Sequence, residues 1–193
     1  RWVEREGGKA RVADSRASPP RKKDFAGELH TGVFTPGLLD DVDVVCISPS
    51  LSLEDPVIRQ AVAQNIRVLG DIELSAWYVR EPVLAITGTN GKTTVTALTG
   101  HLLRSAGVDC EVAGNIAPPV LQGYSRRLEQ GKAPKGWVLE LSSYQLETTW
   151  SLRPAAAAML NLTEDHLDRY ATIDEYGAAK ARIFAGAAVQ VLN

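Results

Sequence analysis

A short apolar run, Val83-Leu84-Ala85-Ile86-Thr87, leads through Gly88-Thr89-Asn90-Gly91 into Lys92-Thr93-Thr94, and apolar residues then recur with a helical period over 94–106. No other stretch restricts the fold as much. The run is short and bounded by glycine, so it reads as a buried strand, and the glycines let the backbone turn directly into a helix. Val95, Leu98, Leu102 and Leu103 are expected on the core face of that helix, with Gly107 as its stop. A strand that feeds a helix through a glycine loop belongs in a parallel α/β sheet.

The same alternation runs through the 193 residues. Ala10-Arg11-Val12-Ala13-Asp14, 42–48, 67–69, 108–113, 137–141, 155–160 and 189–192 read as strands, and 42–48 as a buried one. The segment 15–23, with Pro19, Pro20 and charges from Arg16 to Lys23, is expected to be irregular. Pro56 opens a helix to about Gln64, and 72–78 is helical. Arg80-Glu81-Pro82 is the best boundary, because the residue before a proline leaves the helical region and a new apolar run begins at once. This gives two domains, 1–81 and 82–193, both α/β. Arg1 to Glu6 resembles the last turn of a helix closed by Gly7-Gly8, and 189–192 is a strand with nothing after it. The chain is therefore expected to be part of a longer protein.

Lys plus Arg is 21 against 23 for Asp plus Glu, a net charge of -2, so a broadly basic nucleic-acid binder is not expected and phosphate recognition must be local. No apolar stretch approaches the roughly 20 residues of a membrane helix, and the acidic start lacks a signal-peptide core, so the expected location is the cytoplasm. Cys46 and Cys110 are expected to be small buried residues.

Phosphate binding needs a curled backbone, a helix start, a lysine and a hydroxyl for a divalent ion. Gly88, Gly91, Lys92 and Thr93 meet those needs, although two residues separate the glycines where the usual pattern has four. Such a loop leaves kinase, GTPase, motor and ligase open. Thr172-Ile173-Asp174-Glu175 is a capping box that starts a helix to about Ala185. On that helix Ile173, Tyr176, Ile183 and Phe184 share a face, with Lys180 in its middle. A buried ammonium costs several kcal/mol, so Lys180 either reaches a rim or has a function. Glu140 ends an apolar strand, where a lone carboxylate calls for a cation or donors. His166 lies in a polar loop, where a lone histidine is more often a surface residue; beside the glycine loop, Glu140 and Lys180 the balance reverses and it reads as part of a site.

Taken together, 87–94, Gly114-Asn115-Ile116, Leu139-Glu140-Leu141-Ser142-Ser143-Tyr144-Gln145-Leu146-Glu147 and Asn161-Leu162-Thr163-Glu164-Asp165-His166-Leu167-Asp168-Arg169-Tyr170 resemble the ATP-dependent Mur ligases. The Leu-Ser-Ser-Tyr-Gln-Leu-Glu run resembles the branch that adds D-glutamate to UDP-N-acetylmuramoyl-L-alanine. The resemblance extends through Gly70-Asp71-Ile72-Glu73-Leu74 and back to Asp14-Ser15-Arg16. It implies an incomplete Rossmann-like N-terminal domain that binds UDP, then a P-loop-containing, mainly parallel α/β central domain, incomplete at its C-terminus.

The resemblance also implies a monomeric peptidoglycan-precursor ligase that activates the acceptor carboxylate as an acyl phosphate. Gly88, Thr89, Asn90, Gly91, Lys92, Thr93 and Thr94 would hold ATP. Thr93 and Glu140 would bind one Mg²⁺ and His166 a second, with Lys180 as a carbamylated lysine facing metal. Lys92, Glu140, His166 and Lys180 form the expected catalytic set. Asn115, Ser142 and Gln145 would contact the acceptor near its muramoyl-alanine end, and Asp14, Ser15 and Arg16 would lie near the uridine. Ser50 stands where a glycine is expected. Two other readings remain: another Mur-type or folylpolyglutamate-type ligase, and a nucleotide-binding module that makes no bond. The family's first strand and third domain have no counterpart here, so the 193-residue chain is expected not to ligate alone. ATP- and D-glutamate-dependent phosphate release by this chain would overturn that expectation.

Overall fold

The structure, a computed structural model, describes residues 2–20, 22–25 and 27–193. Arg1, in the expected first helical turn, and Arg21, in the expected irregular loop, lie outside the described residues. By their contacts the residues form two units, Arg1–Val45 with Leu51–Val68, and Cys46–Ser50 with Leu69–Asn193.

In the first unit, Trp2–Arg5 (α1) is a single turn, followed by Gly7 at φ +83°. Arg11–Asp14 (β1) pairs in parallel with Glu28–Thr31 (β2), a strand that the sequence hides because Leu29 is its one apolar residue. The segment expected to be irregular ends in a 3-10 turn, Lys22–Asp24. It comes after Pro19-Pro20, whose fixed φ favours a turn, and Lys22 N–H donates to the Pro19 carbonyl at 3.4 Å. Pro56–Ala63 (α2) starts where expected: Asp55 caps the Val57 N–H at 3.0 Å, and Val57, Ile58 and Ala61 are buried.

Val44–Cys46 (β3) pairs with Arg67–Leu69 (β4), and the division between the units runs through both strands. The structure corrects two expectations here. The strand expected over 42–48 is three residues long and largely exposed, and Cys46 is exposed rather than buried. A two-stranded ribbon offers one partner and little cover, so β-branched composition overstated its burial.

The second unit adds the helices Asp71–Ala76 (α3), Lys92–Ser105 (α4), Val120–Glu129 (α5), Ser143–Glu147 (α6) and Ile173–Ala181 (α7). They surround a five-stranded parallel sheet of Val83–Thr87 (β5), Cys110–Gly114 (β6), Gly136–Glu140 (β7), Ala156–Met159 (β8) and Val189–Leu192 (β9), in the order β6-β7-β5-β8-β9. Successive side chains of a strand point to opposite faces, and the two cores obey that rule. Val83, Ala85, Ala113, Trp137, Leu139 and Ala157 pack with Ile72, Val120, Leu146 and Ile183 on one face. Leu84, Ile86, Cys110, Val112 and Val138 pack with Val95 and Leu103 of α4 on the other.

Two helix faces differ from expectation. Leu98 and Leu102 are exposed, because α4 turns Thr96, Gly100 and Leu103 toward the sheet. Ile173 is also exposed, since the first turn of α7 precedes the buried stretch that starts at Tyr176. The capping box at Thr172 is half formed. Thr172 accepts from Glu175 N–H at 3.2 Å, but the Glu175 carboxylate takes the Ala171 N–H at 2.9 Å.

Trp137 is 1% exposed, and its indole N–H donates to Glu81 at 3.1 Å. Trp137→Ala is expected to lower unfolding free energy by about 3–5 kcal/mol in urea titration. A loss below about 1 kcal/mol would show that the core on this face does not rest on the indole.

Candidate functional site

β5 lies between β7 and β8 with all three strands parallel, so their C-terminal ends leave the sheet at one edge. The ends are tied together there. Thr87 donates its hydroxyl to Leu141 O at 2.7 Å, Leu141 N–H donates to Ile86 O at 2.9 Å, and Leu160 N–H donates to Thr87 O at 2.9 Å. The loop 88–91 therefore rises between the segments that leave β7 and β8.

Gly91 takes the left-handed conformation, φ 77° and ψ -3°, that turns the chain into α4, and it has no side chain to cap the helix. The N–H groups of Lys92, Thr93 and Thr94 find no acceptor among the described residues. Unsatisfied N–H groups and the positive end of a helix are what a phosphate needs. Thr93 and Thr94 are exposed. Lys92 folds its ammonium onto the carbonyls of Gly88 and Thr89, at 3.0 and 2.9 Å.

Lys180 does not reach a rim. It is 1% exposed, donates to the same Gly88 carbonyl at 2.8 Å, and lies 4.5 Å from the Tyr176 ring centre. Burial, reinforced by the Lys92 ammonium, pushes its pKa from 10.5 to about 8.

Glu140 is 2% exposed. Its Oε1 accepts from Asn115 Nδ2 at 2.7 Å, whereas its buried Oε2 has no hydrogen-bond partner. Gly114 brings Asn115 this close: at φ +114° it lacks the Cβ that would collide with the Glu140 carbonyl, to which Asn115 N–H donates at 2.8 Å. Leaving a buried polar atom unpaired costs about 1–3 kcal/mol, and more for a charged group. An oxygen in that state fits a hard divalent ion, which takes carboxylate oxygens and completes its shell from phosphates and water. Among the described residues no three His, Cys, Asp or Glu side chains gather into a metal cluster. An ion at Glu140 would accordingly draw most of its ligands from elsewhere.

His166 sits at φ +55°, with its N–H on Asp165 Oδ1 at 2.8 Å and Nδ1 2.9 Å from the Tyr144 hydroxyl. The rings of Tyr144 and Tyr176 lie against it, and Tyr170 stacks on Tyr144. Tyr170 and Arg169 both bind Glu147, at 2.6 and 2.5 Å.

The expected acceptor contacts have partners of their own. Ser142 caps α6, and Gln145 completes the box by accepting from Ser142 N–H at 3.2 Å. The Gln145 amide donates to both oxygens of Asp71, at 3.3 and 3.2 Å. Burial raises the Asp71 pKa against the opposing bond from Gln145. In the first unit, Arg16 grips Asp14 in a bidentate pair at 2.6 and 2.8 Å, which draws the Asp14 pKa down to about 2, and Ser15 is exposed between them.

Three contributors carried no role in the sequence reading. Asn161 and Thr163 bind the glycine loop, and Glu73 collects the N–H groups of Trp150 and Ser151 at 2.6 and 2.9 Å. The position of Asn161 just past an apolar strand was the available signal.

Residues 86–193 match the Mur ligase middle domain, and residues 1–70 the N-terminal domain of MurD-like Mur ligases. The chain is 50% identical to the UDP-N-acetylmuramoylalanine--D-glutamate ligase of Nitrosospira multiformis and 46% identical to that of Nitrosomonas eutropha. All of this chain aligns in both cases, with 44% of each relative. The chain thus spans less than half the length of those relatives. Among solved structures, a UDP-N-acetylmuramate:L-alanyl-gamma-D-glutamyl-meso-diaminopimelate ligase from Neisseria meningitides superposes at TM-score 0.64 and 18% identity, covering 99% of this chain and 65% of that one. The UDP-N-acetylmuramate-alanine ligase MurC from Thermotoga maritima superposes at 0.55 and 20%, covering 98% and 44%. These likenesses show the α/β fold. With the middle-domain match covering more than half of its residues, the chain belongs to the Mur ligase family.

Proposed function

We propose that this chain is the nucleotide-binding part of an ATP-dependent, ADP-forming ligase that joins D-glutamate to UDP-N-acetylmuramoyl-L-alanine in peptidoglycan precursor synthesis. The observation that carries the reading is the half-satisfied Glu140 carboxylate at the sheet edge where Lys92, Lys180 and the uncapped start of α4 converge. A cation and a polyphosphate together complete that arrangement. The 50% identical relative named for this activity supports the choice of substrates.

In this reading a carboxylate oxygen of the acceptor attacks the γ-phosphorus of ATP and the bond to ADP breaks, leaving an acyl phosphate. The D-glutamate amine then attacks the acyl carbon, phosphate leaves, and the amine proton passes to solvent or a base. The protein's part is positioning and charge. Lys92 leaves the loop carbonyls for the β- and γ-phosphates, the N–H groups of 92–94 hold phosphate oxygens, and 88–91 with Thr94 shape the cradle. Thr93 and Glu140 would hold one Mg²⁺ and His166 a second, and bound there they would supply positive charge against the phosphates. Asn115 orients Glu140 and, with Ser142 and Gln145, faces the acceptor. Asp14, Ser15 and Arg16 lie near the uridine.

Lys180 carries a carbamate in this reading. Its lowered pKa supplies the neutral amine whose nitrogen attacks CO₂ with loss of a proton, which turns a costly buried ammonium into an anion that can face metal. We place the domain division at 81/82, within the interval between the two family matches; by contacts, α3 lies in the second unit. We read the whole protein as a monomeric cytoplasmic enzyme; no described helix is long and apolar enough to cross a membrane.

Assay of a protein of the relatives' full length, with ATP, the acceptor and D-glutamate or L-amino acids, tests the reading. ADP release that depends on D-glutamate is expected, and release with an L-amino acid alone would reassign the branch. Lys92→Ala is expected to lower kcat/KM by about 100-fold or more. ¹³C-bicarbonate should give a carbamate NMR signal that Lys180→Ala abolishes. A fully active Lys180→Ala, or no such signal from the parent protein, would remove the carbamate, whereas MgATP binding with no amide formed from any amino acid would favour a module that makes no bond.

Without bicarbonate, the buried ammonium sets a pH trend. Below pH 8 both folded and unfolded chains hold the proton and the folded state bears the burial cost. Between about 8 and 10.5 only the unfolded chain holds it, so stability rises with pH. Lys180→Met is therefore expected to melt higher than the parent at pH 7, with a gap that closes toward pH 10.5; a pH-independent gap would contradict this.

A further inference from the structure

The glycine loop has two residues, Thr89 and Asn90, between its glycines. Both crest N–H groups are already engaged. Asn90 N–H donates to Asn161 Oδ1 at 2.8 Å, and Thr89 N–H is shared between Asn161 Oδ1 and the Asn161 carbonyl, both at 3.1 Å. Asn161 Nδ2 returns a bond to the Asn90 carbonyl at 3.0 Å. These partners fix the amide orientation, since the flipped form would oppose N–H to N–H.

Thr163 widens the grip. It exchanges bonds with the Thr89 hydroxyl, its carbonyl accepting at 3.2 Å and its N–H donating at 3.1 Å, while Asn90 Nδ2 donates to its hydroxyl at 3.4 Å. Asn161 is itself held in place, because Leu160 N–H extends the β5–β8 ladder to Thr87 O. The N–H groups of residues 89–94 thus divide into two sets: Thr89 and Asn90 are spent inside the protein, and Gly91, Lys92, Thr93 and Thr94 are open.

We propose that Asn161 is a positioning residue of the phosphate site, its side-chain amide bracing a loop too short to brace itself and leaving the first turn of α4 to bind the phosphates. The proposal rests on the reading of this loop as a triphosphate site. The brace fixes the crest before any ligand arrives, so the ordering cost of the loop is met on folding rather than on binding.

Residue-resolved amide exchange tests this in the protein with no substitution. Without nucleotide, the Asn90 amide should be protected and those of Lys92, Thr93 and Thr94 should exchange freely; MgATP should add protection to the second set alone. An Asn90 amide that exchanges freely, or gains protection only with MgATP, would overturn the proposal. In Asn161→Ala, the Asn90 amide should lose protection while Thr89 keeps its bond to the 161 carbonyl. MgATP should bind about tenfold more weakly at an unchanged melting temperature. Asn161→Asp retains the accepting oxygen and should keep Asn90 protected; loss in both variants, or unchanged MgATP affinity in the alanine variant, would also overturn it. Failure of the unsubstituted protein to bind MgATP would instead remove the triphosphate reading itself, and this proposal with it.

Discussion

The parallel alignment of β5 between β7 and β8 is the constraint on which the rest depends. A parallel sheet directs every strand in the same sense, so the segments leaving Thr87, Glu140 and Met159 are delivered to one edge. The interior strands carry almost only apolar residues up to that edge, and the polar chemistry begins at their last position or just beyond it. Thr87, Leu141 and Leu160 lock the three ends by hydrogen bonds. Displacing one strand end would move the glycine loop, the carboxylate and the asparagine together.

Charge at this edge is arranged but not balanced. Two ammonium groups share one carbonyl oxygen, a buried carboxylate has one oxygen satisfied, and a helix begins without a cap. Each feature is unfavourable alone, and each would be relieved by the opposite charge of the proposed nucleotide and its cation. Such local strain is common where a protein is built around a ligand. It also accounts for a near-neutral chain: the net charge of -2 needs no basic surface when a few groups concentrate the field.

The second unit was more legible in the sequence than the first. Val83–Thr87 and Val189–Leu192 occupy the expected residues because short apolar or β-branched runs bounded by glycine, proline or polar residues leave few alternatives. Glu28–Thr31 went unseen and 42–48 was overrated because two-stranded ribbons have little core to imprint a pattern. Periodicity placed Lys180 on the buried face of α7, but it also put Leu98 and Leu102 inside; a helical wheel gives a face and not its centre.

By itself the sequence determined the strand-loop-helix unit, the alternation that builds a parallel sheet, and the residue types at its edge, since these depend on local backbone preference and apolar period. Tertiary structure alone decided which groups meet. The bond from Asn161 to Asn90 spans 71 residues, that from Lys180 to Gly88 spans 92, and the unpaired oxygen of Glu140 exists only once its strand is buried. Contacts of that kind leave no period in the chain, because they are set by the order of strands in the sheet.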